Sequence, residues 1–524
     1  MVAKQPREEQ GWYKWAEAGT RFLMMLRNVS VSYRNTYNLN VPGFRESVGA
    51  LLGQNTTDLG LTPGIGFGLG LVDDSYIDKA RENGWLMTDT TLSTPATSAT
   101  TQDVQIKATL EPFTDLKIDL NMSHTRNDSK SIQYMFPNRA PSLTGSFNMT
   151  TITISTAFSS MGTADNGYSS SVFDRFLSNL DVMQQRIQQR YEGTYYPAGM
   201  PGHSGKYDAS KTPVSRYSAD VMIPAFLAAY QGRDASSSST DVFPNLLKML
   251  PNWSLSYKGL GNLPWVRDHF KSVTLTHAYK SIYSIGAYNS YSNYIQAIGG
   301  NDMGYAGTAA PGVYTASSVY DISTVSINET FSPLVGLNLT FNNNMTLKAE
   351  YKTARVSTLS ITSAQINETS SKDFVIGWGW KINDFRLSSL FGGGKAAKQA
   401  AKSNRSRRGS SASSRNTSAS SRDRASSSSA SSSKKAFAHD LNLRFDFSLR
   451  DQAAIRRDIQ SGLCEATSGQ LAIKASAQID YTMSRYITMS IYYDRQHSKP
   501  LLSSQSYPTV TQDFGMTMKV SLTR

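Results

Sequence analysis

The 524-residue sequence holds a single cysteine, Cys464, which excludes a disulfide framework and a thiolate zinc site. Histidine is scarce too: His124, His203, His269, His277, His439 and His497 are scattered, with no pair at metal-ligand spacing. Long apolar runs are missing. The longest are Phe22–Leu26 and, counting Pro224, Val221–Tyr230, well short of the roughly 18 residues a membrane-crossing helix requires. Transmembrane helices are thereby excluded. Residues 1–30 show no cleavable leader, because Lys4 and Arg7 are followed by acids and the run from Phe22 is too short for an apolar signal region. The chain therefore reads as a mature form, a fragment or a protein that is not exported.

Acid and base nearly balance outside one segment. Of the net +13, residues 392–436 supply +10, through eleven Lys/Arg against Asp423, which leaves +3 for everything else. The segment also holds fourteen serines in residues 409–433, too little apolar surface to offset its ordering entropy, so it is expected to be a disordered basic loop. Arg405, Arg407, Arg408, Arg415, Arg422 and Arg424 are its candidate contacts for acidic groups, and the alternative is a solvated spacer. Charge confined to one loop gives no reason to expect nucleic acid on the folded body.

What is present in quantity is alternation. The mean hydropathy is −0.38, yet aromatics reach 10% with 27 tyrosines, a pairing unlike a disordered chain. Leu116, Ile118 and Leu120 alternate with Lys117, Asp119 and Asn121; Leu347 and Tyr351 alternate with Lys348, Glu350 and Lys352. Phe445 and Phe447 alternate with Arg444 and Asp446, and Ile479 with Lys474, Gln478 and Asp480. Met516, Met518 and Val520 close the series near the C-terminus. Period-two patterning places each set on its own face of a strand.

Sixteen strands are predicted, near 22–37, 64–72, 102–111, 115–126, 130–136, 146–158, 252–258, 270–286, 319–331, 335–341, 345–361, 366–383, 438–450, 469–483, 485–496 and 512–523. Several exceed the ~9–11 residues that cross a bilayer at a tilt. The expectation is an all-β, antiparallel transmembrane barrel, large and partial, whose apolar set faces lipid and whose polar set faces an aqueous lumen. A large soluble antiparallel sheet is the alternative. Trp378, Trp380, Tyr257, Tyr283, Tyr486 and Tyr493 fit either headgroup-level rings or ordinary sheet residues. Counting strands back from the C-terminus puts the turns at 342–344 and 483–485 and the basic loop at one end, taken as periplasmic, and the Cys464 loop at the other.

The predicted organisation is barrel strands in 1–158, a helical insertion in 159–251, strands in 252–391, the loop 392–436 and C-terminal strands in 437–524. Within the insertion Phe173, Phe176, Leu177, Leu180, Met183, Ile187 and Tyr191 recur at helical spacing, and a second helix is expected at 221–230. Such an insertion is a plug, a gate, a cap on one rim, or a helix pair packed on the wall.

No catalytic, cofactor or metal-binding pattern emerges. Gly64, Gly66, Gly68 and Gly70 alternate with Ile65, Phe67, Leu69 and Leu71, but their spacing is not that of a phosphate loop. The adjacent pairs Glu8–Glu9 and Asp73–Asp74 do not form an acid/base dyad on a strand.

Five stretches are distinctive: RFLMMLRNVSVSY (21–33), IPAFLAAY (223–230), LPNWSLSYKGL (250–260), FKSVTLTHAYKSIYSIGAYNS (270–290) and FVIGWGWKI (374–382). Together they resemble the C-terminal part of the SprA/Sov family, the outer-membrane translocon proteins of the Bacteroidetes type IX secretion system, also tied to gliding motility. The resemblance runs with gaps from Trp15 to Arg524. It implies an outer-membrane channel passing folded cargo proteins to the cell surface, working with a PorV-type barrel partner, a plug protein and periplasmic secretion components, without a cofactor. The family's long N-terminal portion is missing, so the chain reads as a C-terminal fragment or split gene product. A self-contained sixteen-stranded diffusion porin and a soluble or surface-attached β-rich adhesin are the competing expectations.

Overall fold

The computed structural model describes residues 24–521, excluding 48, 50–51, 59, 90–93, 137–140, 301–302, 309, 311, 384, 386–438, 485 and 503–506. The basic-loop arginines, Arg405 to Arg424, lie outside the described residues.

One antiparallel sheet of fourteen strands dominates. Its strands are β1 (Leu26–Asn40), β2 (Ala96–Leu110), β3 (Leu116–Ile132), β4 (Ser142–Thr150), β5 (Asn252–Tyr257), β6 (Phe270–Ser290) and β7 (Tyr320–Ile322). They continue as β8 (Thr324–Phe341), β9 (Met345–Ser360), β10 (Gln365–Ile382), β11 (Leu441–Asp458), β12 (Cys464–Thr482), β13 (Ile487–Pro500) and β14 (Thr509–Val520). Each main strand neighbours the next in sequence, a meander that runs β1-β2-β3-β4-β6 and then β8 through β14. The all-β antiparallel architecture with a helical insertion is therefore as expected from the alternation. Among the described residues β1 and β14 each pair on one side only, so the wall is open.

Strands β4 and β5 share one position in this wall. β4 pairs with the far half of β3 (His124–Ser131) and β5 with its near half (Leu116–Asn121), and both also pair with β6. They are two halves of a single stave. All of 151–251 is inserted at the break, where Leu250 N–H donates to Thr150 O at 3.3 Å and Thr151 N–H to Ser281 O at 3.1 Å.

The insertion folds as α3 and α4, which follow two shorter helices earlier in the chain: α1 (Ile65–Gly68), α2 (Ser75–Glu82), α3 (Ser171–Tyr191) and α4 (Ala219–Gln231). In α3 the residues Phe173, Phe176, Leu180, Met183 and Ile187 form a single buried stripe, which is why this segment is helical. α4 is buried on every side from Val221 to Tyr230, held between α3 and the sheet, and tolerates Pro224. It ends at Gly232, whose φ of 67° suits a glycine, with Arg233 N–H returning to Ala228 O at 2.9 Å.

Four expectations are corrected. The predicted strand at 64–72 is instead α1 and a loop: Gly64 and Gly70 have φ of 95° and 69°, conformations that break an extended chain. The segments 115–126 and 130–136 are one strand, β3, and 335–341 joins most of 319–331 as β8. β8 stays continuous because two extra residues bulge out around Pro333, which cannot donate to a ladder. The strand predicted at 146–158 leaves the sheet at Thr150, so the insertion starts at 151 rather than 159.

The insertion and the sheet share one core, in which α3 and α4 pack on Phe147, Tyr283, Ile285, Val325, Ile327, Leu359 and Ile366. Phe226 is fully buried at its centre. Phe226→Ala is expected to cost about 3–5 kcal/mol, read as a lowered denaturation midpoint in detergent.

Candidate functional site

Strand register decides which residues share a face. Directly paired residues project to the same side, so the pairing of each strand with its neighbour propagates a face assignment across the wall. Leu116, Ile118 and Leu120 pair with Tyr257, Leu255 and Trp253; these pair with Leu275, His277 and Tyr279, and the series continues through Leu337 and Leu339 to Ala349 and Leu347. Beyond them Leu347 meets Trp378, Trp378 meets Phe445, Phe445 meets Ala477, Ile479 meets Ile491, and Ile491 meets Met516. All the lipid-facing candidates, Leu116, Ile118, Leu120, Leu347, Tyr351, Phe445, Phe447, Ile479, Met516, Met518 and Val520, therefore occupy one face. The lumen-facing candidates, Lys117, Asp119, Asn121, Lys348, Glu350, Lys352, Arg444, Asp446, Lys474, Gln478 and Asp480, occupy the other.

The apolar face has two unlike halves. Near the 342–344 turn it is bare: Val31 is 65% exposed, Val335 60%, Phe514 71% and Met518 63%. On β11 the bare stretch runs from Leu441 to Leu449, roughly 20 Å at a rise of about 3.3 Å per residue and a tilt of about 40°. Aromatic rings collect at its margins, with Trp378–Trp380 and Phe270–Phe341 near the turns and Trp253–Tyr279 and Phe331 toward the opposite end. Nearer the 361–364 turn the same face is covered by α3 and α4, and farther along the wall by α2, which Tyr37 of β1 and Lys130 of β3 grip through Asp74. The inserted helices thus sit on the apolar side and not on the side of the lumen-facing candidates. Tyr283, considered above as a headgroup-level ring, lies buried beneath them and donates to Val242 O at 3.1 Å.

The polar face is paired along its own strands. Glu350 lies between Lys348 and Lys352 at 2.9 and 3.0 Å, Lys117 reaches Asp119 at 2.9 Å, and Arg450 crosses to Asp373 at 2.9 Å. Alternating signs leave a hydrated surface of little net charge.

Where the covered half meets the bare half, a row of buried polar groups crosses β6, β8, β9, β10 and β11. Glu329 accepts from Thr153 Oγ1 at 2.6 Å, from Tyr279 at 2.9 Å and from Arg355 at 2.9 Å. Arg355 also donates to Thr156 O at 2.7 Å. Arg457, fully buried, donates to Glu368 at 2.6 Å, to Tyr168 O at 2.6 Å and to Met161 O at 2.9 Å, with its guanidinium 5.7 Å from the Phe173 ring centre. Tyr230 of α4 donates to the other Glu368 oxygen. Burial first, and then the Glu368 charge, push the Tyr230 phenol well above its ordinary pKa, so it remains a donor. These two ion pairs clamp 153–168 and α4 onto the wall. Sequence reasoning missed Glu329, Arg355, Glu368 and Arg457. Their signal is a charge in the apolar register of adjacent strands, Glu329 between Ile327 and Phe331 being the plainest case.

Among the described residues no group of three His, Cys, Asp or Glu could hold a metal ion, and no helix is long and apolar enough to cross a membrane. The fold and faces define an antiparallel β-wall with one polar face and one apolar face, the latter half bare and half capped by helices. No family model and no curated protein matches the chain. Among solved structures it is similar to the beta domain of the Bordetella autotransporter BrkA, at 6% identity and a TM-score of 0.21, covering 82% of this chain and 92% of that one. It is also similar to an anion-selective porin from Comamonas acidovorans, at 7% identity and a TM-score of 0.18, covering 81% and 93%.

Removing one member of a buried ion pair strands its partner and costs about 3–5 kcal/mol, whereas replacing both is far milder. Arg457→Met is therefore expected to lower stability by that amount, and Glu368→Met with Arg457→Met to recover most of it in a double-mutant cycle. Burial acting alone would raise the Asp74 carboxyl, but hydrogen bonds from Lys130, Ser98 and Tyr37 outweigh it and hold the group below its ordinary value of 3.8. The α2 contact therefore contributes stability that is complete above about pH 4 and is lost as pH falls through the depressed value. Asp74→Asn should remove that acid dependence from the unfolding curve.

Proposed function

We propose that the chain forms part of an outer-membrane β-barrel through which molecules cross, its bare apolar face against lipid and its polar face lining an aqueous passage. The observation that carries this reading is the apolar face of long strands, bare over roughly 20 Å where such barrels show a band of ~25 Å, and backed by a face rich in charged and polar side chains. A soluble sheet would leave that surface open to water, far beyond the patch size tolerated in soluble proteins.

The finer reading is a portion of a type IX secretion translocon, supported by the sequence resemblance to the SprA/Sov family. On it the capped end is extracellular, the 342–344 turn and the basic loop are periplasmic, and folded cargo proteins pass the polar face. A PorV-type barrel, a plug protein and periplasmic components are the proposed partners. That β1 and β14 each pair on one side only among the described residues favours this over a self-contained porin, because strand edges left unpaired are not tolerated in hydrocarbon.

Phe445→Arg places a charge in the bare band at a cost of about 2–4 kcal/mol and should abolish recovery in the outer-membrane fraction, while Asp446→Arg on the opposite face should not. Equal recovery of both variants rejects the membrane reading. Cysteines replacing Val31 and Met516 in a Cys464→Ser background should form no intramolecular disulfide. A spontaneous one would mean that β1 and β14 meet and the chain closes alone. Deleting the coding segment should block surface delivery of C-terminally tagged cargo, and normal delivery would reject the translocon assignment.

A further inference from the structure

The helical cap leaves four apolar side chains exposed on its margin beside the gap between β4 and β5. Ile154 is 40% and Phe158 63% exposed on the segment leaving β4, and Leu246 is 40% and Leu247 93% exposed on the segment returning to β5. Single exposed leucines are common on any protein. Here both segments are fixed at the boundary of the bare band. Thr153, next to Ile154, is tied to Tyr279 and Glu329, and the Phe158 ring lies 5.3 Å from that of Phe331 on β8, beyond which the next residue on the same face is the exposed Val335. Leu247 lies five residues before Asn252, where β5 enters the wall, and Trp253 stacks there on Tyr279 at 4.5 Å. The neighbouring Lys248 is engaged by Ser239 at 2.6 Å and Asp241 at 3.3 Å.

Resting on the membrane reading above, we infer that this margin of the cap is seated in the headgroup region of the bilayer, with Ile154, Phe158, Leu246 and Leu247 inserted among the lipids. The occupant is lipid because the margin continues the bare face on the same side of the wall, where that face ends at the partly exposed Trp253 and the buried Tyr279 and Phe331. Rings and leucines suit the interfacial zone between acyl chains and water. A partner protein at this margin would have to displace lipid already in contact with Val335, which is exposed beside the buried Phe331. The cap is then held in two ways, by the buried ion pairs to the wall and by shallow insertion beside it.

The test uses the full chain, with Cys464→Ser, reconstituted in phosphatidylcholine vesicles and carrying one nitroxide at Phe158→Cys, Leu247→Cys, Phe445→Cys or Ser237→Cys. Collision with oxygen and with a water-soluble nickel chelate reports depth at each site. Phe158 and Leu247 labels are expected to lose at least half of the aqueous accessibility seen at Ser237, while staying shallower than Phe445. If Phe445 is lipid-exposed but Phe158 and Leu247 match Ser237, the inference is overturned and the membrane reading stands. If Phe445 also matches Ser237, the membrane reading itself fails and the inference falls with it. A label at Phe158 or Leu247 shielded from both reagents would indicate protein burial, and would overturn the lipid contact in favour of a partner chain.

Discussion

Side-chain parity, kept through strands of up to 21 residues and transmitted laterally by register, is the constraint on which the wall depends. A one-residue slip of β9 would carry Lys348, Glu350 and Lys352 to the apolar side. Two features protect against this. The bulge at Pro333 adds two residues to β8 relative to β9, an even number, so Val335 returns to the side of Phe331. The Glu329–Arg355 pair joins facing residues of β8 and β9, so a shifted register would leave two charges buried without partners.

Because parity holds, the apolar side must be satisfied along its whole length, and the chain does so by two different means. The half near the short turns is broad and uniform, as contact with a fluid requires. The other half is irregular, with Tyr283, Ile285 and Leu359 fitted to particular helix residues, and it is closed by ion pairs that hydrocarbon would not accept. A helical insertion placed on this side leaves the polar face clear, so it cannot occlude a passage lined by that face. It covers the half of the apolar face nearer the 361–364 turn.

Much of this was legible in the sequence. Alternation marked the strands because one side chain in two is apolar, and it assigned Leu116 and Phe445 to one side and Lys117 and Arg444 to the other without reference to any neighbour. The α3 and α4 helices were legible from a stripe at Phe173, Phe176 and Leu180 and from an apolar block at 221–230. Where the reading failed, local pattern gave no information about backbone conformation or long-range pairing. Gly64 to Gly70 alternate as a strand would, yet glycine is also the residue that turns most easily, and here it turns. Arg355 and Arg457 were passed over because their partners lie on other strands, 26 and 89 residues away. That the cap lies on the apolar side was not legible at all, since a run of residues between two strands carries no label for the face on which it returns.

The interruption between β4 and β5 has a consequence for how such a wall can change. Both ends of the inserted hundred residues emerge at one suture, next to Ser281, in line with a stave that is otherwise whole. The loop they close is long, but the opening it requires in the sheet is a single step, and the neighbouring strands β3 and β6 run past it unbroken. Material can therefore be grafted, enlarged or lost at that joint without altering the strand count or the order of any hairpin. The body of the wall and its ornament are free to diverge at different rates.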